Sequence, residues 1–434
     1  MLSSERKNNY MAFIVLLLKT CFIWPLDTRR LLHIFLYRLV TWFTCIILAA
    51  VSIGQLLKMC VSLDLAELSS TVDVFTLTAS ALYKLVYLLV NMKTLVYIVN
   101  VVHYNFEERP IQGLDPFTMS AHIRPTSLLS VIHVLSGQIT SAIWCFVPLL
   151  FSPVSPVTDP TAPLTLKNRR TMPMNVWLPF NFAYSPAYEI VFVLESFAFF
   201  MSALLYLSID CFYFYLIYII CGQLKLLDAS FKTLFTIEEN LRRDQEGQKT
   251  LVSEKDQLGL IKEVEPSWIK DNQKAYRDRI LNQHLERIIN LHAVVLDLVR
   301  LIEVFFSSPI VVDFLHAILS LSFALFQTQM SVTFMEMIKM YIFIVVCILH
   351  QFFNNFFGEE LIHAQHMIVN SVYESPWYTG DRRFKRSVRM IAVRSLRPIK
   401  LSGFKMYILC LQSFVEFCRR IFSYYTVLSE VSKA

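Results

Sequence analysis

The sequence predicts an all-α membrane protein of seven transmembrane helices. Three observations lead there. Hydrophobic residues make up 55% of the 434 positions and charged residues 17%, and several stretches are free of charge over the length a helix needs to cross a hydrocarbon core, about 20 residues for about 30 Å. Glycine is sparse, at 9, and no ten-residue segments alternate apolar with polar residues, which excludes a transmembrane β-barrel. Basic residues are also concentrated: of 40 Lys and Arg, 13 fall between Gly222 and Arg300 and 9 between Gly358 and Lys405. That places both segments in the cytoplasm by the positive-inside tendency. It also argues against nucleic-acid binding as the cause of the +6 net charge.

Residues 1–30 open with a basic start and a short apolar run (ERKNNYMAFIVLLLKTC) and no small-x-small cleavage site. They are expected to be a retained cytoplasmic or interfacial segment, turned into the first span by FIWPLD. Residues 31–235 should hold helices one to four. Leu39 to Leu57 carries no charge, Ser69 to Val102 is interrupted by Asp73, Lys84 and Lys93, and Pro125 to Pro156 has only His133. Tyr188 to Leu224 contains Glu195 and Asp210. Between the third and fourth spans, residues 152–187 hold seven prolines and read as an irregular extracellular connection. Its Lys167, Arg169 and Arg170 run mildly against the positive-inside assignment.

Residues 236–275 are polar, mixed in charge and poor in aromatics, the composition of a mobile cytoplasmic loop. In residues 276–302, Leu281, Leu285, Ile288, His292, Val295, Val299 and Ile302 recur at spacings of three and four. That is the seam of a cytoplasmic helix seeking partners, within the chain or on another subunit. Residues 303–357 supply spans five and six: Val304 to Met335 holds only Asp313, and Met340 to Phe357 carries no charge. In residues 358–398 a helix from Arg382 to Arg397 puts Phe384, Val388 and Ile391 on one side and basic residues on the other. Such a helix fits a packed cytoplasmic anchor or a layer of lipid headgroups. An odd number of spans from a cytoplasmic N-terminus puts the C-terminus outside, the reverse of a G-protein-coupled receptor. Nine scattered cysteines without a C-x-x-C pair read as small apolar residues.

The last span, in residues 399–434, is the odd one. SFVEFCRRIFSYYTVLSE is long enough to cross but carries Glu416, Arg419, Arg420 and Glu430. A charge near the middle of a lipid-facing helix costs about 3 kcal/mol or more. On a helix, Ser413, Glu416, Arg420, Ser423, Val427 and Glu430 share one face, while Phe414, Phe417, Cys418, Ile421, Phe422, Tyr425 and Leu428 take the other side. Ionisable residues inside a membrane face a bundle interior or water, so the stripe reads as the wall of a pore shared by several copies. A Glu416–Arg420 pair within one helix is the simpler alternative. A ring of Val427 would close such a pore by dewetting, and Glu430 beyond it would favour cations.

These residues resemble the insect odorant receptor family. RPIKLSGFKMYILCLQSFVEFCRRIFSYYTVL is similar to the family's last helix, and FGEELIHAQHMIVNSVYESPWYTGDRRFKR to its stretch between spans six and seven. WLPFNFAYSPAYEIVF resembles its lead into span four. Gustatory receptors share the fold but end in a Thr-Tyr-x5-Gln-Phe-type motif absent here. The resemblance implies a volatile-ligand-gated, non-selective cation channel subunit in the plasma membrane of olfactory sensory neurons. It would work in a heterotetramer with the family's coreceptor, four last helices lining the pore. Aligned on S-Y-Y-T-V-L, Val427 falls on the coreceptor's gate valine, and Glu430 stands where it has glutamine. By the same resemblance the odorant site lies between spans two, three, four and six. That implies Phe75, Ala79 and Tyr83; Ile139, Ile143 and Phe146; Phe192, Ser196 and Phe199; and Phe334, Ile338 and Tyr341.

No enzyme is expected. His363 and His366 in EELIHAQH lack a third ligand at metal spacing, so neither metal nor cofactor is implied. Two halves with matching broken helices, the mark of a transporter, are not visible.

Overall fold

The computed structural model describes residues 11–25, 31–62, 65–108, 116–151, 172–180, 186–257, 267–330 and 334–431. Residues 1–10 and most of the proline-rich connection (152–171 and 181–185) lie outside them, as do residues 258–266 of the expected loop.

Helix α1 (Ala12–Thr20) ends where Phe22 takes a left-handed conformation, φ 58°, and Ile23 N reaches back to Leu18 O at 3.1 Å. Its Ile14 and Leu18 are fully buried, and Phe13 lies against Tyr215 with ring centroids 6.2 Å apart. Residues 11–25 of the segment expected in the cytoplasm or at the interface thus pack on the bundle. Then follow α2 (Leu31–Val61), α3 (Leu65–Val90) and, after a turn at Asn91, α4 (Met92–Val102), which passes into a π-helical turn at His103–Glu108. The third span lies in α5 (Pro116–Phe151) and the fourth in α6 (Ala187–Gln257). Next come α7 (Ser267–Met330), α8 (Phe334–Glu374) and α9 (Arg382–Ser395). The last is capped by Asp381, whose Oδ1 accepts from Phe384 N at 2.6 Å. A two-stranded hairpin, β1 (Ser402–Gly403) and β2 (Tyr407–Ile408), leads into α10 (Leu411–Val431).

Six of these helices are long and apolar enough to cross a membrane, in α2, α3, α5, α6, α7 and α8. The seventh span is α10, 21 residues long, whose charged stripe lowers its hydropathy. Helices α6 and α7 have 71 and 64 residues. At about 1.5 Å per residue each is roughly 100 Å long, about three times a hydrocarbon core, so much of both must project beyond the bilayer. The polar stretch from residue 236, expected to be a loop, continues α6 as helix to Gln257.

Residues Met201 to Leu224 of α6 are apolar on almost every side and almost all buried. That pattern belongs at a bundle centre, and α6 packs on α1, α2, α3, α5, α7 and α8. The seam Leu281, Leu285, Ile288, His292, Val295, Val299 and Ile302 is entirely buried within this one chain. Of the two alternatives for it, the packing is intramolecular, because neighbouring helices of the same chain, α6 and α9 among them, already cover it. On α9, Phe384, Val388 and Ile391 are buried while Arg382, Arg383, Arg386 and Arg389 are not.

Candidate functional site

Two features lie side by side in the middle of the bundle: a knot of ionisable side chains and a small cavity. At the centre of the knot is Lys84 of α3, its side chain fully buried. Its Nζ sits 2.6 Å from Asp210 Oδ1 of α6 and 2.6 Å from Asp313 Oδ1 of α7. It also lies 3.8 Å from the centroid of the Tyr206 ring, a cation–π contact in a desolvated setting. His350 of α8 brings Nε2 to 3.3 Å from Asp210 Oδ2 and to 3.2 Å from Asn354 Nδ2. Its Nδ1 is 2.9 Å from His133 Nε2 of α5, the two rings stacked at 5.1 Å. Five helices thus meet at one polar centre. Two carboxyl groups face one ammonium.

Removing ions from water is expensive, and close pairing offsets part of that cost; Lys84 Nζ donates to Asp210 Oδ1, while Asp210 Oδ2 and Asp313 Oδ1 have ion-pair contacts without a hydrogen bond. A second device lies one turn before Asp313. Pro309, inside α7, has no N–H to donate to Phe305 O. Tyr87 Oη of α3 donates to that carbonyl instead, at 2.6 Å.

The cavity, of about 60 Å³, adjoins the knot. Leu77 of α3 lines it with Gly137, Thr140 and Ser141 of α5. From α6 come Phe199, Ala203, Tyr206 and Leu207. His316 and Ala317 of α7 and Phe343, Val346, Cys347 and His350 of α8 complete the wall. Gly137 is there for space: a Cβ on it would collide with the Leu207 side chain. Tyr206 and His350 belong to both cavity and knot, so whatever fills the cavity touches side chains that hold the charges. Trp144, 5% exposed, backs the wall, with ring centroids 6.0 Å from Phe199 and 5.7 Å from Phe343. Residues 172–180 pack on the bundle, with Trp177 N donating to Gly54 O at 3.1 Å and Met174 N to Glu195 Oε2 at 3.1 Å.

Of the twelve residues implied as an odorant pocket, Phe199 lines this cavity. Phe75, Ala79, Ile143, Phe192 and Ser196 are partly buried elsewhere in the bundle. Tyr83 hydrogen-bonds Ser308 across to α7. Ile139, Phe146, Phe334, Ile338 and Tyr341 are exposed on the outside of the chain. The spans are those implied by the resemblance, with α7 added, but mostly other faces of them meet. The sequence did carry a signal for the knot. Lys84, Asp210 and Asp313 were visible among the ionisable residues interrupting spans two, four and five, with Asp73, Lys93 and Glu195, and such residues usually pair with one another. His316 gave no signal of its own.

The two sides of α10 separate in part: Cys418 and Phe422, expected on the apolar side, are exposed. Phe417 and Ile421 are buried against Ala317, Leu321 and Ala324 of α7 and Ile344 of α8. Ser413 is half-buried, and Glu416, Arg420, Ser423, Val427 and Glu430 are exposed. The α10 start is tied down where Leu411 N donates to Glu359 Oε2 at 3.1 Å. The hairpin before it is tied by Tyr407, whose Oη donates to Asn355 Oδ1 at 2.8 Å and accepts from Gln351 Nε2 at 3.1 Å.

The family model described as 7tm Odorant receptor matches residues 64–422. Drosophila melanogaster odorant receptors 92a (a putative one) and 67a are 27% and 24% identical over 119 residues, covering 27% of this chain and 29% of each relative. Odorant receptor 83a of the same organism is 20% identical over 352 residues, 76% of this chain and 72% of the relative. Among solved structures, the insect olfactory receptor OR5 from Machilis hrabei in complex with eugenol superposes with a TM-score of 0.73 at 17% identity, over 98% of this chain and 100% of that one. A second structure of that receptor, not described as a complex, gives 0.73 at 16% identity over the same shares.

Proposed function

This chain belongs to the 7tm odorant receptor family, and on that premise we propose that it is a volatile-ligand-gated, non-selective cation channel subunit. In this reading it pairs with the family's coreceptor in a heterotetramer in the plasma membrane of olfactory sensory neurons. The N-terminus is cytoplasmic and the C-terminus extracellular. Four last helices line the pore, each presenting Ser413, Glu416, Arg420, Ser423, Val427 and Glu430.

The observation that carries the reading is the direction of the α10 stripe. Its apolar side, Phe417 and Ile421, packs on α7 and α8, while Glu416, Arg420 and Glu430 face away from the chain's own bundle. Charges that neither enter the bundle nor tolerate lipid need water, and an axis shared with other subunits supplies it. The odorant would enter the cavity between α3, α5, α6, α7 and α8, since a mostly apolar, enclosed site with few polar groups suits a volatile molecule. A related receptor of the same fold forms a complex with eugenol, which supports a small organic ligand here. Ligand-driven movement would reach the pore through α7 and α8, the two helices that carry both the cavity wall and the seat of α10.

The test is whole-cell current under a volatile panel, with G-protein signalling blocked, in cells expressing this chain alone or with the coreceptor. Cation current in the paired cells only is the expected result. Current from this chain alone would replace the heteromer with a homomer. Silence in both, with surface expression verified, would sink the channel reading.

A further inference from the structure

Two polar atoms of the cavity wall have no hydrogen-bond partner: Tyr206 Oη, on the ring that Lys84 covers, and His316 Nδ1. His316 is 6% exposed, lines the cavity, and its Nδ1 is buried with no hydrogen-bond partner. A buried ring nitrogen left without a partner is destabilising, and such groups in folded proteins call for an explanation. Thr140, Ser141 and His350 of the wall are already engaged. Thr140 and Ser141 donate to the carbonyls of Ser136 and Gly137 in their own helix, each at 2.9 Å. Both nitrogens of His350 have partners in His133 and Asn354. Much of the remaining wall is apolar: Leu77, Phe199, Ala317, Phe343 and Val346.

The geometry points to a ligand class: a small neutral molecule with one hydrogen-bonding oxygen, an alcohol or ketone, whose oxygen binds His316 Nδ1 and whose hydrocarbon body lies against Leu77, Phe199 and Phe343. An imidazole nitrogen accepts from a hydroxyl or donates to a carbonyl according to its tautomer. The knot next door sets the second half of the selectivity. Two carboxylates surround Lys84, and Asp210 reaches the cavity wall through His350. Lys84 is already held by both carboxyl groups, so an anionic head in the cavity would be buried without a free cation in the wall to pair with. Carboxylates of the same length are therefore excluded. Size is a third limit. The cavity of about 60 Å³ admits a chain equivalent to about four to six water-sized groups, so larger ligands must displace Phe199 or Phe343.

This inference rests on the cavity being the odorant site, and it is tested by binding, independently of current. Trp144 packs on Phe199 and Phe343 and reports from the wall. The full chain in detergent is titrated with 1-hexanol, 2-hexanone, hexane and hexanoate, and the fluorescence change that disappears in Trp144→Phe is taken as the signal. The alcohol and the ketone should bind at least about tenfold more tightly than hexane, with hexanoate weaker than either. His316→Phe should erase the gap between hexanol and hexane, and His316→Gln, which keeps a donor and an acceptor, should retain most of it. Hexane binding as tightly as hexanol, a gap that survives His316→Phe, preferential binding of hexanoate, or no saturable signal from any of the four overturns the assignment. Discrimination in binding with no current in any cell would instead overturn the channel reading alone.

Discussion

Replacing Lys84 by methionine removes one charge and little volume, and its cost follows from the geometry. Nζ lies 2.6 Å from an oxygen of Asp210 and 2.6 Å from one of Asp313. Those two oxygens are therefore no more than about twice that distance apart, with the ammonium between them. Without it, two carboxylates remain inside the bundle, with side chains 5% and 7% exposed. Breaking a buried pair by deleting one partner costs about 3–5 kcal/mol, and loss of the cation over Tyr206 adds up to about 2 kcal/mol. Purified chain should show a thermal midpoint lower by at least about 5 °C, measured by size-exclusion after heating, and reduced surface expression. The triple variant Lys84→Met, Asp210→Asn, Asp313→Asn should recover most of that loss, because replacing every charge leaves nothing uncompensated. A Lys84→Met protein as stable as the wild type, or a triple variant no better than the single one, would refute the account of the knot.

Three further outcomes follow from the packing. Tyr87→Phe orphans Phe305 O and should cost about 1–3 kcal/mol, but little once Pro309→Ala restores an N–H to that carbonyl; a thermal-denaturation double-mutant cycle reads the difference. The hairpin turn holds Phe404 at φ 47° and Lys405 at φ 61°, a left-handed pair that suits Asn-Gly. Phe404→Asn with Lys405→Gly should therefore raise the thermal midpoint, by a gain of about 1 kcal/mol. Phe417, 1% exposed, seats α10. Phe417→Ala should cost about 3–5 kcal/mol and expose the α10 end to limited proteolysis before the bundle unfolds.

The sequence by itself determined the class of the molecule. Charge-free runs of bilayer length specify crossings because lipid tolerates little else, and the six apolar helices stand where those runs are. Periodicity alone placed Phe417 and Ile421 opposite Glu416, Arg420 and Glu430, since the helical repeat assigns faces without knowing the partner. The buried side of α9 was legible for the same reason. Three things needed the tertiary structure. Whether the seam from Leu281 to Ile302 meets its own chain or another depends on where α6 and α9 fall, and both fall on it. Residues 236–257 look like a loop by composition, yet continue α6 as helix, so local polarity misjudged where that element ends. The cavity is the clearest case. Which faces of α3, α5, α6, α7 and α8 turn toward one another is set by rotation of each helix about its axis. A fraction of a turn moves Ile139 and Tyr341 outward and brings Gly137, Phe343 and His316 in. Lys84, Asp210 and Asp313 help fix that rotation, because a buried charge holds its helix in the one orientation that keeps it paired.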